Sequence, residues 1–314
     1  MSKSNQFQKV KNKNRINKVQ TAILLGNGIN LLTEGVTWAG LLNQIAQHMG
    51  VVVEINNNKT FPMIFEEILF RSEGDFYDNL RTIKEHIANE YLITRPNLFH
   101  NQVMKLNVTD YLTTNYDYSL EKVFEPNFNI SCETNKEWKY SIFRKNTVNQ
   151  NKKIWHIHGE INNGINRITR YSAESIMIGN EHYGDYFRKI HEYIKPPGGN
   201  VMDGLKREPE SWIQKFFTHD IHIIGFSLDF SETHLWWLLN LRARIIESIN
   251  ITIANKIYFY YPYFEQEQYG PKIQLLEAIH VNCIMIPIDE NNVVNRYIDY
   301  WENILNHHLN HLNA

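Results

Sequence analysis

Two short stretches hold side chains suited to proton transfer and to gripping a hydroxyl-rich ligand. In "TTNYD" (113–117), Asn115 can donate and accept hydrogen bonds while staying neutral, which fits ribose hydroxyls or a water. Asp117, two residues on, offers an acceptor for a carboxamide N–H. In "HIHGE" (156–160), His158 stands just before Gly159, and an imidazole there can act as a general base near neutral pH. Plainer roles exist for the first two: Asp117 can cap the next helix, and Asn115 can bond the backbone as a buried amide. His156 would face the other side of a continuing strand, which argues against a metal shared with His158.

Glycine-bearing turns accompany these stretches. "GNGIN" (26–30) follows an apolar run, and "GFSLDFSETHLWWLL" (225–239) follows another. Glycine lets the chain turn sharply and lets a ligand approach the main chain, and a helix starting there would aim free N–H groups at a phosphate. Gly225 and Ser227 fit a backbone-and-hydroxyl contact to a ribose or phosphate. A dehydrogenase-type dinucleotide fingerprint wants a third glycine at position 31, where this chain has Leu31, and "GNGIN" alone fits a tight turn equally well. Trp236 and Trp237 are expected to pack a helix rather than stack on a ligand.

Elements must carry these groups to one place. Strand-like runs at Ala22–Leu25, Asp110–Thr113, Ile154–Ile157, Ile221–Gly225, Lys256–Tyr261 and Cys283–Ile288 alternate with helical stretches. That pattern predicts an α/β fold: a Rossmann-like parallel sheet with helices on both faces. Open sheets of this kind bind ligands at the carboxyl ends of their strands, where the polar clusters stand. Two further stretches, near 37–105 and 163–215, are read as helical insertions packing together over the sheet. The first shows helical spacing at Ile64, Phe65, Ile68 and Leu69, and the second contains the loop "KPPGGN". The main domain is expected over 20–290, with a basic tail at 1–19 and a terminal helix within 291–314. Tyr297, Trp301, Leu305 and Leu309 form a four-residue repeat on that helix, open to packing at home or against another chain.

Composition narrows the class. The chain has 314 residues, 43% hydrophobic and 21% charged, with a net charge of −2, so direct nucleic-acid binding is not expected except through the tail. The absence of a run of about twenty apolar residues argues against a membrane span, and the N-terminus lacks the apolar core of a signal peptide. A cytoplasmic location is expected. Two cysteines, Cys132 and Cys283, cannot build a four-cysteine zinc site, and no metal is expected.

In this order, "GNGIN", "TTNYD", "IHGE" and "GFS" resemble the glycine turn, the Gln-Asn-Ile-Asp segment, the catalytic His-Gly and the Gly-Thr/Ser-Ser turn of sirtuins. The chain is more similar still to the sirtuin-like domains of bacterial antiphage defence systems, across residues 20–290. The resemblance implies NAD as substrate, cleaved to nicotinamide and ADP-ribose. By it, Asn115 and His158 are catalytic, while Gly26, Asn27, Gly28, Ile29, Asn30, Thr114, Asp117, Gly225, Phe226 and Ser227 hold the dinucleotide. It also implies gating by homo-oligomerisation or by a partner such as a HerA-type ring ATPase, since an ungated NAD hydrolase would kill its host. Protein deacylation fits less well. "TEGVTWAGLL" replaces the Pro-Asp-Phe-Arg-type segment of the deacylating sirtuins, and their zinc ribbon is missing. Two rivals are an NAD or ADP-ribose sensor without turnover and a dehydrogenase using Glu54 after "GVVV" as its ribose-binding acid.

Overall fold

The computed structural model describes residues 19–32, 37–56, 58–92, 94–128, 141–161, 175–195, 198–248, 253–263, 266–288 and 295–313. The basic tail up to residue 18, Cys132, the Pro196–Pro197 pair and residues 162–174 of the second insertion lie outside them. Seven strands form one sheet: β1 (Gln20–Leu25), β2 (Asp110–Thr113), β3 (Asn146–Val148), β4 (Lys152–His156), β5 (His219–Ile224), β6 (Ile257–Pro262) and β7 (Val281–Ile286). Their order is β3-β4-β2-β1-β5-β6-β7, parallel throughout except for β3, which runs antiparallel to β4. Ala22 to Leu25 are wholly buried, as a central parallel strand covered on both faces requires. The six strands read from the sequence are all present; β3 is an addition, a three-residue edge strand too short to carry a pattern.

The chain leaves β1 for β2 on one side and later for β5 on the other, so the carboxyl end of β1 is the topological switch point of the sheet. Helices cover both faces. The first insertion folds as α1 (Trp38–His48), α2 (Phe61–Arg71), α3 (Phe76–Leu92) and α4 (Leu98–Lys105). Thr37 accepts from the Gly40 amide to start α1, and an Asn97/His100 capping box starts α4. Ile64, Phe65, Ile68 and Leu69 all point into a core shared with Leu41, Ile83, Tyr116 and Ile178, separate from the cores on the sheet faces. A short α5 (Ser119–Lys122) follows β2. The second insertion, with α6 (Asn180–Ile194), α7 (Val201–Leu205) and α8 (Trp212–Thr218), packs against the first: the Asn180 amide donates to Glu66 and the Lys84 ammonium lies 3.2 Å from His182. Then come α9 (Thr233–Ile246), α10 (Gln266–Ala278) and α11 (Arg296–Asn303).

Two expectations need correction. No α-helix follows the "GNGIN" turn directly; residues Asn27–Leu32 wind as a tight 3₁₀ turn. The C-terminal helix also does not run unbroken, because α11 passes into a π turn at Ile304–His308 and a 3₁₀ turn at Asn310–Leu312. Its stripe packs at home. Trp301, Leu305 and Leu309 are buried against Ile23, Leu25, Phe99 and Tyr260, so they cannot form an interface with another chain. Among the described residues, no helix is long and apolar enough to cross a membrane.

Candidate functional site

The paired glycine turns meet each other. A Cβ on Gly26 would fall 2.4 Å from the Gly225 carbonyl oxygen, and one on Gly28 would fall 2.7 Å from it. The Gly26 amide donates to Ile224 and the Gly28 amide to Gly225, so the turns after β1 and β5 interlock backbone to backbone. Gly225 itself has φ +61° and abuts the Trp301 ring, where a side chain would be both strained and crowded. The glycines are needed for this junction before any ligand is considered.

A cavity of about 380 Å³ opens at that junction, within the range of small-molecule sites. Two groups of wall residues are tied together by contacts. One comprises Gly225, Tyr260, Tyr300 and Trp301: the Tyr300 hydroxyl donates to the Tyr260 carbonyl and accepts from the Gly225 amide. The other comprises Trp38, Tyr116, Tyr183 and Glu232, with Trp38 edge-on to Tyr116 at 5.6 Å. Asn27, Gly28, Phe226 and Ser227 also line the cavity, as does Lys272, whose ammonium donates to the Ser227 carbonyl. Leu31 stands in the wall, and Glu54 is exposed on a loop away from the cavity, which removes the acid a dehydrogenase would use.

The remaining expected site residues lie behind that wall. Ile29 is buried in a sheet-face core and its carbonyl accepts from Asn97. Thr114 is buried, its amide donating to Leu25. The Asn115 side chain donates to the Gly26 carbonyl at 3.3 Å, so it braces the glycine junction from below. Both oxygens of Asp117 are engaged: Oδ1 accepts from the Ser119 amide at the start of α5 and Oδ2 from the Asn30 side chain at 2.9 Å. Asp117 thus bonds the first amide of α5, although Tyr118 holds the N-cap position. Asn115 and His158 stand at strand ends, but both are buried rather than clear of the packing.

His156 and His158 look into different surroundings. His156 Nδ1 donates to the Asn115 carbonyl at 2.8 Å and Nε2 meets Glu121 at 2.8 Å, with Glu160 further off at 3.9 Å. Burial alone would depress its pKa, but the Glu121 charge and hydrogen bond outweigh that and push it up to about 9. Asn146 bridges Glu121 and Glu160, and Arg144 pairs with Glu160 at 2.5 Å. These contacts tie His156 into a polar knot in which both of its ring nitrogens are engaged.

His158, in contrast, makes no hydrogen bond through either ring nitrogen among the described residues. Its Nε2 lies 3.0 Å from Glu232 Oε2, close enough for an ion pair but misaligned for a hydrogen bond. His234, fully buried among Tyr183, Tyr186 and Trp212, is likewise unbonded at both nitrogens, and burial holds its pKa well below the ordinary histidine value. Ligand atoms of His158, Glu232 and His234 lie within 4.8 Å of one another. Sequence reading passed over Glu232 and His234. The signal was there in "SETH", where the turn after "GFSLDF" hands over to α9, but nothing in spacing alone marked those two residues as neighbours of His158.

Residues 109–253, from β2 to the segment before β6, match the family model described as a SIR2-like domain. A curated protein of Bacillus cereus (strain MSX-D12), "NAD(+) hydrolase ThsA", is 24% identical over 183 residues, covering 58% of this chain and 34% of that protein. The chain spans about a third of the length of that relative. Residues 109–253 thus resemble a SIR2-like domain, carried on a Rossmann-like sheet.

Proposed function

We propose that this sirtuin-like domain hydrolyses NAD to nicotinamide and ADP-ribose, and that the reaction serves antiphage defence by depleting NAD. The observation that carries the reading is the position of the cavity. It opens where the glycine turns after β1 and β5 interlock, with Asn115 and His158 directly behind its wall. The matched relative is named as an NAD(+) hydrolase, which fits.

In this reading Phe226, Tyr260, Tyr300 and Trp301 receive the adenosine half, and Lys272 and the Asn27–Gly28 backbone face the pyrophosphate. The reacting ribose lies towards Tyr116 and Glu232. Nicotinamide departs as a neutral base and leaves an oxocarbenium-like ribosyl cation, which preorganised dipoles and a carboxylate stabilise in a site screened from water. Asn115 orients the turn that carries the ribose, and His158 takes part in removing the proton of the incoming water. Control by self-assembly or by a separately encoded partner such as a HerA-type ring ATPase belongs to the same proposal. Light scattering with and without that partner, alongside turnover, tests it: a monomer hydrolysing NAD at full rate by itself contradicts gating.

The test of the function is nicotinamide release from NAD, followed by chromatography, for the wild-type chain and for Asn115→Ala and His158→Ala. Release by the wild type and silence of both variants is expected. NAD binding without release would favour the sensor instead.

A further inference from the structure

The structure puts a carboxylate between the cavity and the histidine. Glu232 lines the cavity wall, whereas His158 is 1% exposed and does not reach it. Glu232 Oε2 sits 3.0 Å from His158 Nε2 and forms no hydrogen bond among the described residues. Two other carboxylates stand near the cavity, and both are spoken for. Asp117 is held by Asn30 and the Ser119 amide, and Asp229 Oδ1 accepts from the Ser231 amide at 2.9 Å and the Ser231 hydroxyl at 2.6 Å. Of the two carboxylates that line the cavity, Asp229 and Glu232, Glu232 is the one that also meets His158.

We propose that Glu232 is a catalytic residue of this site, taking the proton of the attacking water at the cavity wall and passing it to His158 behind it. The proposal rests on the NAD-hydrolysis reading and assigns the proton path within it. The C–N bond between ribose and nicotinamide breaks, and its electron pair leaves with nicotinamide, which departs neutral. The water oxygen bonds to the ribosyl carbon so freed. One water proton goes to Glu232 and then to His158 Nε2, in the tautomer that leaves this nitrogen open, and it reaches solvent when ADP-ribose departs. The Glu232 carboxylate also faces the cationic carbon while that charge develops.

The surroundings favour this path. The groups facing the pair are Tyr116 and Tyr183, both buried phenols whose pKa is raised by burial above all, with the Glu232 charge adding to it, and His234, which burial keeps neutral. Neither phenol ionises near neutral pH, so neither competes for the proton. Tyr116 is further committed, its hydroxyl donating to the Met177 carbonyl at 2.6 Å. Proton-transfer contacts are commonly misaligned until substrate tightens them, so the 3.0 Å separation is short enough for the transfer.

The experiment compares wild type, Glu232→Gln and Glu232→Asp for nicotinamide release. It adds ring-labelled histidine NMR of His158, which reads the pair whether or not turnover occurs. Glu232→Gln is expected to lower kcat by about 10²- to 10⁴-fold with KM for NAD within about threefold, and Glu232→Asp to fall between. The His158 ring signals should move in Glu232→Gln. An active wild type whose Glu232→Gln variant keeps more than about a third of kcat would overturn the proposal, as would unmoved His158 signals. One equivalent of zinc in tag-free protein would also overturn it, because a metal on His158, Glu232 and His234 would occupy both ends of the path. A wild type that never releases nicotinamide, yet shows the His158 response, would sink the hydrolase reading while leaving the pair intact.

Discussion

His156 and His158 are two residues apart on one strand end, and they live opposite lives. His156 spends both nitrogens on Asn115 and Glu121, inside a knot that Asn146 and Arg144 close around Glu160. His158 spends neither, and stands beside a carboxylate that opens on a cavity. Buried polar groups normally find partners, so a buried ring with neither nitrogen bonded among the described residues stands out. The His156 ring is fully engaged and ties the structure together, whereas the His158 ring makes no hydrogen bond among the described residues. A third cluster, at the opposite end of the sheet, belongs with His156. There Lys215 pairs with Asp110 at 3.0 Å and with Glu210, and Trp155 Nε1 donates to Asp110.

The contrast can be broken most sharply at His158. His158→Ala should cut nicotinamide release by about 10²- to 10⁴-fold, the usual scale for losing a proton-transfer group. Its melting temperature should fall less than that of His156→Ala, since no hydrogen bond is lost. His156→Ala should behave the other way round. It strands the Glu121 carboxylate and frees the Asn115 carbonyl, so stability should drop by about 3–5 kcal/mol, as for one half of a buried pair. Thermal melts alongside kinetics separate the two. Through Asn115, His156 also supports the glycine junction.

Proton linkage offers a third handle. The folded-state pKa of His156 is raised to about 9, above the unfolded value of about 6.5. Its contribution to stability is therefore complete below about pH 6.5 and is lost as pH rises through about 9. Asp110 runs in the opposite sense: burial would raise its pKa, but His219 and Lys215 hold it well below the ordinary carboxylate range. The stability it contributes is present above about pH 4 and is lost on acidification. Urea melts from pH 6 to 10 should show the alkaline decline in wild type and not in His156→Ala. The smallest effect belongs to the partly exposed rim of the far network. Lys145→Ala removes one 3.2 Å contact with Glu210, and its cost should stay within about 1 kcal/mol by the same melts.

Much of this was legible in the sequence, for physical reasons. Parallel strands buried on both faces read as continuous apolar runs, so β1, β2, β4, β5, β6 and β7 announced themselves. The polar clusters at their carboxyl ends announced the position of the site. The edge strand β3 has three residues and no periodicity to detect. The aromatic wall from Tyr300 and Trp301 was hidden because a four-residue stripe reports a buried helix face without reporting what it is buried against. Glu232 was hidden for a similar reason: its neighbour His158 is 74 positions away in sequence, and only the fold joins them. Gly26 and Gly28 were read as a phosphate cradle, yet the contact that demands them is with Gly225.

The central claim is that the cavity at the β1–β5 junction cleaves NAD. Incubating the purified chain, together with its activating partner where turnover needs one, with NAD and following nicotinamide and ADP-ribose by chromatography tests it most directly, with His158→Ala as the matched control. Equal amounts of both products from the wild type, and none above background from the variant, are predicted. NAD that stays intact with the wild type, or is cleaved as fast by His158→Ala, would contradict the account.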